Sequence, residues 1–248
     1  MPHSPARAII FDLDGTLVET ERLKAQAYAA TLKQLLGLDT PDDRAIALYE
    51  RLVGSTDEMI CRAVLAEIPG VEGSLSSHPG EEPWLALHSE RMNVYSVDFG
   101  NEAGLTGARY EHNLGLLQKL AATGLPVAVA TSSFTDEADR VLRILGVRHV
   151  LAALVGREQV ANPKPSPDIY LETCRRLGAN PADAVTIEDS PLGVASARAA
   201  GTRWICVPTP FSRQAIAGRV DIDQAWVVQD AADLDRLVDL RIRGGERV

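Results

Sequence analysis

The stretch Ala8-Ile9-Ile10-Phe11-Asp12-Leu13-Asp14-Gly15-Thr16-Leu17 decides the fold of this 248-residue chain. A short apolar run with β-branched residues reads as a strand buried on both faces, the kind that parallel sheets contain. The run stops at two carboxylates one residue apart. In open α/β sheets ligands bind just beyond the carboxyl ends of the strands, where Asp12 and Asp14 would project. Carboxylates crowded together repel unless a cation or a substrate needs both. The plain alternative is an acidic turn after a core strand, and the rest of the chain argues against it.

Working outward, the pattern changes at once. Residues 19–36 carry apolar positions near the helical period until Gly37, and residues 41–53, 57–68 and 84–95 follow as further helical stretches. A Pro/Gly/Ser-rich loop occupies residues 69–83. No convincing strand appears between Glu19 and Asn101, so residues 19–103 read as a separate helical domain, with a Gly-rich crossing over residues 98–107. After it strands and helices alternate: helix 112–122, strand 125–130, helix 136–145, strand 151–155, helix 168–177, strand 184–187, helix 194–200 and strand 204–207. A terminal helix is expected from Ala231. Such alternation predicts an α/β core, residues 1–18 and 104–248, built on a parallel sheet with helices on both faces.

Composition limits the partners. Hydrophobic residues make up 46% of the chain, charged residues 24%, and the formal net charge is -9. With no long basic run, no nucleic-acid footprint is present. No segment approaches the roughly 20 apolar residues of a membrane span, and the first residues lack the apolar stretch of a signal peptide. A cytoplasmic protein, monomeric or weakly homo-oligomeric, is the expectation. Cys61, Cys174 and Cys206 are too few and too widely spaced for a disulfide framework or a metal cluster, and read as reduced, packed thiols.

Three strand ends carry reactive side chains: Asp12 and Asp14, then Thr131 and Ser132, then Glu188 and Asp189. Lys164 lies in the rigid turn Asn162-Pro163-Lys164-Pro165-Ser166-Pro167. Singly, each has an ordinary structural explanation: a turn hydroxyl, a solvated lysine, a helix cap. Together they supply what phosphoryl transfer needs, namely a nucleophile, a proton carrier, a hard cation held by oxygens, and donors for the spare phosphate oxygens.

These four pieces, in this order, resemble the motifs of the haloacid dehalogenase-like (HAD) phosphohydrolases. The resemblance implies a HAD-type Rossmann-like core with an inserted α-helical cap that closes over the site. It implies that Asp12 is the nucleophile that becomes an aspartyl-phosphate and Asp14 the general acid and base. Thr131, Ser132 and Lys164 would bind phosphate. Asp12, Asp14 (through its carbonyl), Glu188 (directly or through water) and Asp189 would hold Mg²⁺. Asp14 sets the chain apart from the dehalogenases and phosphonatases, which usually have another residue there. The pattern Glu19-Thr20-Glu21 and Glu188-Asp189-Ser190-Pro191-Leu192-Gly193 looks most like the β-phosphoglucomutase-like subgroup, which includes many sugar-phosphate phosphatases.

Within that subgroup the mutase's cap arginine, expected near residues 54–57, is missing, which favours a phosphatase over a phosphosugar mutase. Lys24 and Arg91 are the candidate cap cations for the rest of the substrate. A different opening of the core helix is expected at residues 109–113, where the family often has Pro-Gly. The expectation is a Mg²⁺-dependent phosphatase of a small phosphorylated metabolite, most simply a sugar phosphate. The mutase and a non-catalytic phospho-metabolite-binding module are the alternatives.

Overall fold

The computed structural model describes residues 5–52, 55–75 and 80–245. Gly54, part of the segment where the cap arginine is missing, lies outside the described residues. Strand β1 (Ala8–Phe11) is followed by six helices: α1 (Thr20–Leu36), α2 (Asp43–Arg51), α3 (Asp57–Glu67), α4 (Val71–Ser74), α5 (Pro83–Val94) and α6 (Glu102–Gly107). The chain then runs through α7 (Glu111–Ala122), β2 (Val127–Ala130), α8 (Thr135–Ile144), β3 (Ala153–Val155) and α9 (Asp168–Leu177). It continues through β4 (Ala184–Glu188), α10 (Pro191–Ala200), β5 (Arg203–Cys206), α11 (Arg213–Ile216) and α12 (Ala231–Ile242). Two compact units result, one running to Glu19 and resuming at Arg109, the other spanning Thr20–Ala108.

In the first unit the five strands are all parallel, in the order β3-β2-β1-β4-β5. β1 is central, and every residue of β1, β2, β4 and β5 is buried, as the unbroken apolar runs require. Register sets the site. Phe11 pairs with Val129 on one side and Ile187 on the other. Asp12, Thr131 and Glu188 therefore emerge from three adjacent strands at one end of the sheet. The chain adds β2 and β3 on one side of β1 before crossing to β4 on the other. Such a switch of direction opens a crevice at the strand ends. β2 begins at Val127 rather than 125 because Pro126 has no N–H for the ladder, although its carbonyl accepts from Ile9.

The second unit is helical, and its described residues contain no strand. α1 packs on α2 and α5, and α3 on α5, burying Tyr28, Leu32, Leu87, Val64 and Tyr95. Asp42 and Thr56 cap α2 and α3 by accepting from Arg44 N and Met59 N. Two expectations change. The loop at 69–83 contains the short helix α4. The Gly-rich crossing at 98–107 is largely helical: a π-helical turn (Tyr95–Phe99) leads into α6, which starts where Asn101 accepts from Gly104 N. α6 thus belongs to the helical unit, and the return to the core falls between Ala108 and Arg109. Among the described residues no helix is long and apolar enough to cross a membrane. The three cysteines are free and buried.

Candidate active site

The site is built on the end of β1. Asp12 is 4% exposed, and its N–H is used by Ile187 O of β4, which fixes the backbone while the side chain leaves the sheet. Three residues on, Gly15 adopts a φ of 81° and its N–H returns to Val18 O. That reversal needs a residue tolerant of the left-handed region. The turn is pinned from α7, where Asn113 Nδ2 donates to Thr16 O at 2.7 Å. This is what the unusual opening of the core helix at 109–113 provides.

Lys164 is brought in by the crossover from β3 to β4. Its turn is closed by Asp168, the first residue of α9, which accepts from Asn162 and from Ser166 Oγ. Ser196 on α10 donates to Ser166 O. Lys164 is 8% exposed, and its ammonium lies 2.6 Å from both Asp12 Oδ1 and Glu188 Oε1. A buried ammonium between two buried carboxylates is a costly arrangement that persists only with good geometry and further hydrogen bonds.

Glu188 has those bonds. Its Oε1 accepts from Lys164 and from Tyr170 OH at 2.8 Å, and its Oε2 from Asp189 N, Ser190 N and Ser190 Oγ. Five donors on two oxygens saturate a carboxylate. Glu188 therefore acts as an anchor for Lys164. Gly193 makes room for the anchor, since a Cβ there would lie 1.8 Å from Glu188 Oε1.

Burial pushes the Asp12 carboxyl well up; Lys164 opposes the rise, and Glu188 and Asp14 add to it. Burial alone would also raise Glu188, but Lys164 and the surrounding donors hold it below its usual value. For Lys164 burial acts downward, yet Asp12 and Glu188 carry the ammonium well above its usual range.

Asp14 Oδ2 accepts from Thr131 Oγ1 at 3.1 Å and Ser133 Oγ at 2.8 Å. Thr131 also accepts from Ser133 N, which sets the loop after β2. Thus Thr131, expected on phosphate, here steadies the proposed proton carrier. Ser132 lies between them, half-buried. Ser133 was not singled out from the sequence because in a Thr-Ser-Ser run nothing marks which hydroxyl turns inward.

Three buried carboxylates (Asp12, Glu188, Asp189) stand at the ends of β1 and β4, and Lys164 pairs with two of them. That excess of charge on hard oxygen donors fits a divalent cation such as Mg²⁺. Among the described residues no three His, Cys, Asp or Glu side chains converge as a ready-made cage. Mg²⁺ does not need one, since it usually keeps waters and takes one or two carboxylates with substrate phosphate.

The helical-unit candidates lie as follows. Lys24 is half-buried on α1, and it adds to the lowering of the His88 pKa that burial chiefly causes. Arg91 is fully buried. Its Nη2 is 3.0 Å from Asp57 Oδ2, and its guanidinium lies 5.4 and 5.7 Å over the rings of Tyr28 and Tyr95. Arg91, expected as a cap cation for the substrate, is here an interior ion-pair and cation–π residue.

Parallel-sheet topology, paired aspartates after the central strand and a lysine crossing to meet them define a class of phosphoryl-handling α/β enzymes. Comparison with known proteins agrees. Residues 9–207 match the family model of the haloacid dehalogenase-like hydrolases. Protein CbbY of Rhodobacter capsulatus is 30% identical over 84% of this chain and 87% of its own length. A phosphorylated carbohydrates phosphatase of Thermotoga maritima is 31% identical over 80% of this chain and 83% of its own. The crystal structure of a CbbY mutant from Rhodobacter sphaeroides in complex with xylulose-(1,5)bisphosphate superposes with a TM-score of 0.71 at 27% identity, covering 92% of this chain and 96% of that one. The chain belongs to the haloacid dehalogenase-like hydrolase family.

Proposed function

We propose that this enzyme is a Mg²⁺-dependent phosphatase that hydrolyses a small phosphorylated metabolite, a sugar phosphate, through an aspartyl-phosphate on Asp12. The observation that carries the reading is Lys164, held 2.6 Å from Asp12 by a saturated Glu188. Asp12 attacks phosphorus with the carboxylate that Lys164 orients. Asp14, steadied by Thr131 and Ser133, donates a proton to the leaving oxygen and later takes one from the attacking water. Lys164 and the backbone at Ser132 receive phosphate oxygens, while the Thr131 hydroxyl stays on Asp14. Asp12 and Asp189, with the Asp14 carbonyl, would hold Mg²⁺, which supplies charge neutralisation for the phosphoryl group. Sugar phosphates are favoured by the relatives, which include a phosphorylated carbohydrates phosphatase and a CbbY crystallised with a ketose bisphosphate. Lys24 remains the candidate for an anionic or polar part of the substrate beyond the phosphate.

The test is phosphate release with Mg²⁺ across sugar monophosphates, sugar bisphosphates and other small phosphoesters, with β-glucose 1-phosphate also followed for isomer formation. Release that EDTA abolishes, strongest on sugar phosphates, is the expected result. Isomerisation without net release would replace the phosphatase with a phosphosugar mutase.

A further inference from the structure

We infer that Tyr170 is a positioning residue that holds the Lys164–Glu188 pair and so keeps Lys164 on Asp12. This rests on the phosphatase reading. Tyr170 is the third residue of α9 and fully buried. A buried hydroxyl is unfavourable unless it is hydrogen-bonded, and this one donates to Glu188 Oε1 at 2.8 Å, the same oxygen that Lys164 binds. The ring has a second task. Its centroid lies 5.2 Å from Lys164 Nζ, within the range in which an aromatic face attracts an ammonium. One side chain therefore touches both members of the ion pair, one through its hydroxyl and the other through its π face.

The consequence concerns where the lysine is aimed. Lys164 has three N–H donors and four rotatable carbons behind them. Two donors are used, on Asp12 Oδ1 and Glu188 Oε1, and those two bonds set the direction of the third. Glu188 Oε2 is fixed by the backbone of Asp189 and Ser190 and by Ser190 Oγ, whereas among the described residues Oε1 accepts from Tyr170 and Lys164 alone. Without the tyrosine hydroxyl, Oε1 can follow the ammonium instead of directing it. Among the described residues Tyr170 has no hydrogen bond to Asp12, and its two contacts at the site are Glu188 and Lys164, so its effect on catalysis passes through Lys164.

The experiment compares wild type, Tyr170→Phe, Lys164→Met and the double variant. It reads kcat/KM on p-nitrophenyl phosphate, calorimetric affinity for inorganic phosphate with Mg²⁺, and melting temperature. Tyr170→Phe keeps the ring and loses only the hydroxyl. The expected result is a loss of about 10- to 100-fold in kcat/KM, the scale of one hydrogen bond to a charged group. Phosphate should bind several-fold more weakly. The double variant should be no worse than Lys164→Met alone, because the tyrosine acts through the lysine. Tyr170→Phe within twofold of wild type in both turnover and phosphate affinity would reduce Tyr170 to packing and overturn the inference. So would losses that multiply in the double variant. A wild type that binds phosphate yet hydrolyses no monoester would refute the phosphatase reading. The affinity ratio would then decide the role of Tyr170 by itself.

Discussion

Replacing Gly193 with alanine tests whether Glu188 is an immovable anchor. Gly193 lies in the first turn of α10, where Ser190 Oγ accepts its N–H, and it is not among the positive-φ glycines. Backbone conformation therefore does not demand glycine, and helix propensity alone favours alanine by about 1 kcal/mol. Space decides otherwise. The new Cβ would sit 1.8 to 2.1 Å from the three carboxylate atoms of Glu188, where ordinary contact begins near 3.4 Å. The carboxylate or the helix must withdraw by about 1.5 Å. Bonds of 2.6 Å to Lys164 and 2.8 Å to Tyr170 do not survive that movement. Overpacking costs about 1–3 kcal/mol, and a lost hydrogen bond to a charged group about 1.5–3 more. Against the propensity gain, the net destabilisation is about 3 kcal/mol, or a melting temperature lower by about 6–12 °C. With Lys164 released from its anchor, kcat/KM should fall at least about a hundredfold. Scanning calorimetry and phosphate-release kinetics on the purified variant measure both. A variant that melts at or above the wild-type temperature and keeps its activity would refute the reasoning.

Other perturbations separate the parts. Ser133→Ala removes the shorter of the two bonds to Asp14 and should lower kcat about tenfold with KM little changed. The loss should shrink for p-nitrophenyl phosphate, whose leaving group needs less help from an acid; equal losses on all substrates would count against Asp14 as the proton donor. In the helical unit, burial lowers the pKa of His88, with Arg91 and Lys24 acting the same way and Asp57 opposing them. The folded protein thus binds fewer protons than the unfolded chain below the ordinary value of 6.5. Stability is kept above that pH and is lost as the pH falls through it towards the folded value. Denaturant unfolding at pH 7.5 and 5.5 should show that loss, and His88→Gln should reduce it; an unchanged difference would contradict the assignment.

How legible each part was depends on whether its signal is local. β1, the pair Asp12/Asp14 and helix α9 could be read because apolar runs, carboxylate spacing and a following glycine are local signals; Gly178 ends α9 at a φ of 61°. α10 starts earlier than its apolar pattern suggested because Pro191 and the Ser190 cap set the first turn independently of hydrophobicity. The tasks of Tyr170 and Gly193 could not be read, since both depend on a carboxylate reached through the fold: a tyrosine among apolar helix positions looks like core, and a helical glycine like a weak spot. Arg91 failed for a related reason. Its helical phase was legible, but its burial against Asp57, Tyr28 and Tyr95 is a property of packing.

The most direct measurement is phosphate release by Asp12→Asn beside wild type, on the best sugar phosphate found, with substrate affinity measured for both. The account predicts release by the wild type, a variant at least about a thousandfold slower, and substrate still bound by the variant. Hydrolysis by Asp12→Asn near the wild-type rate would mean that phosphorus is attacked by some other group, and would contradict the account.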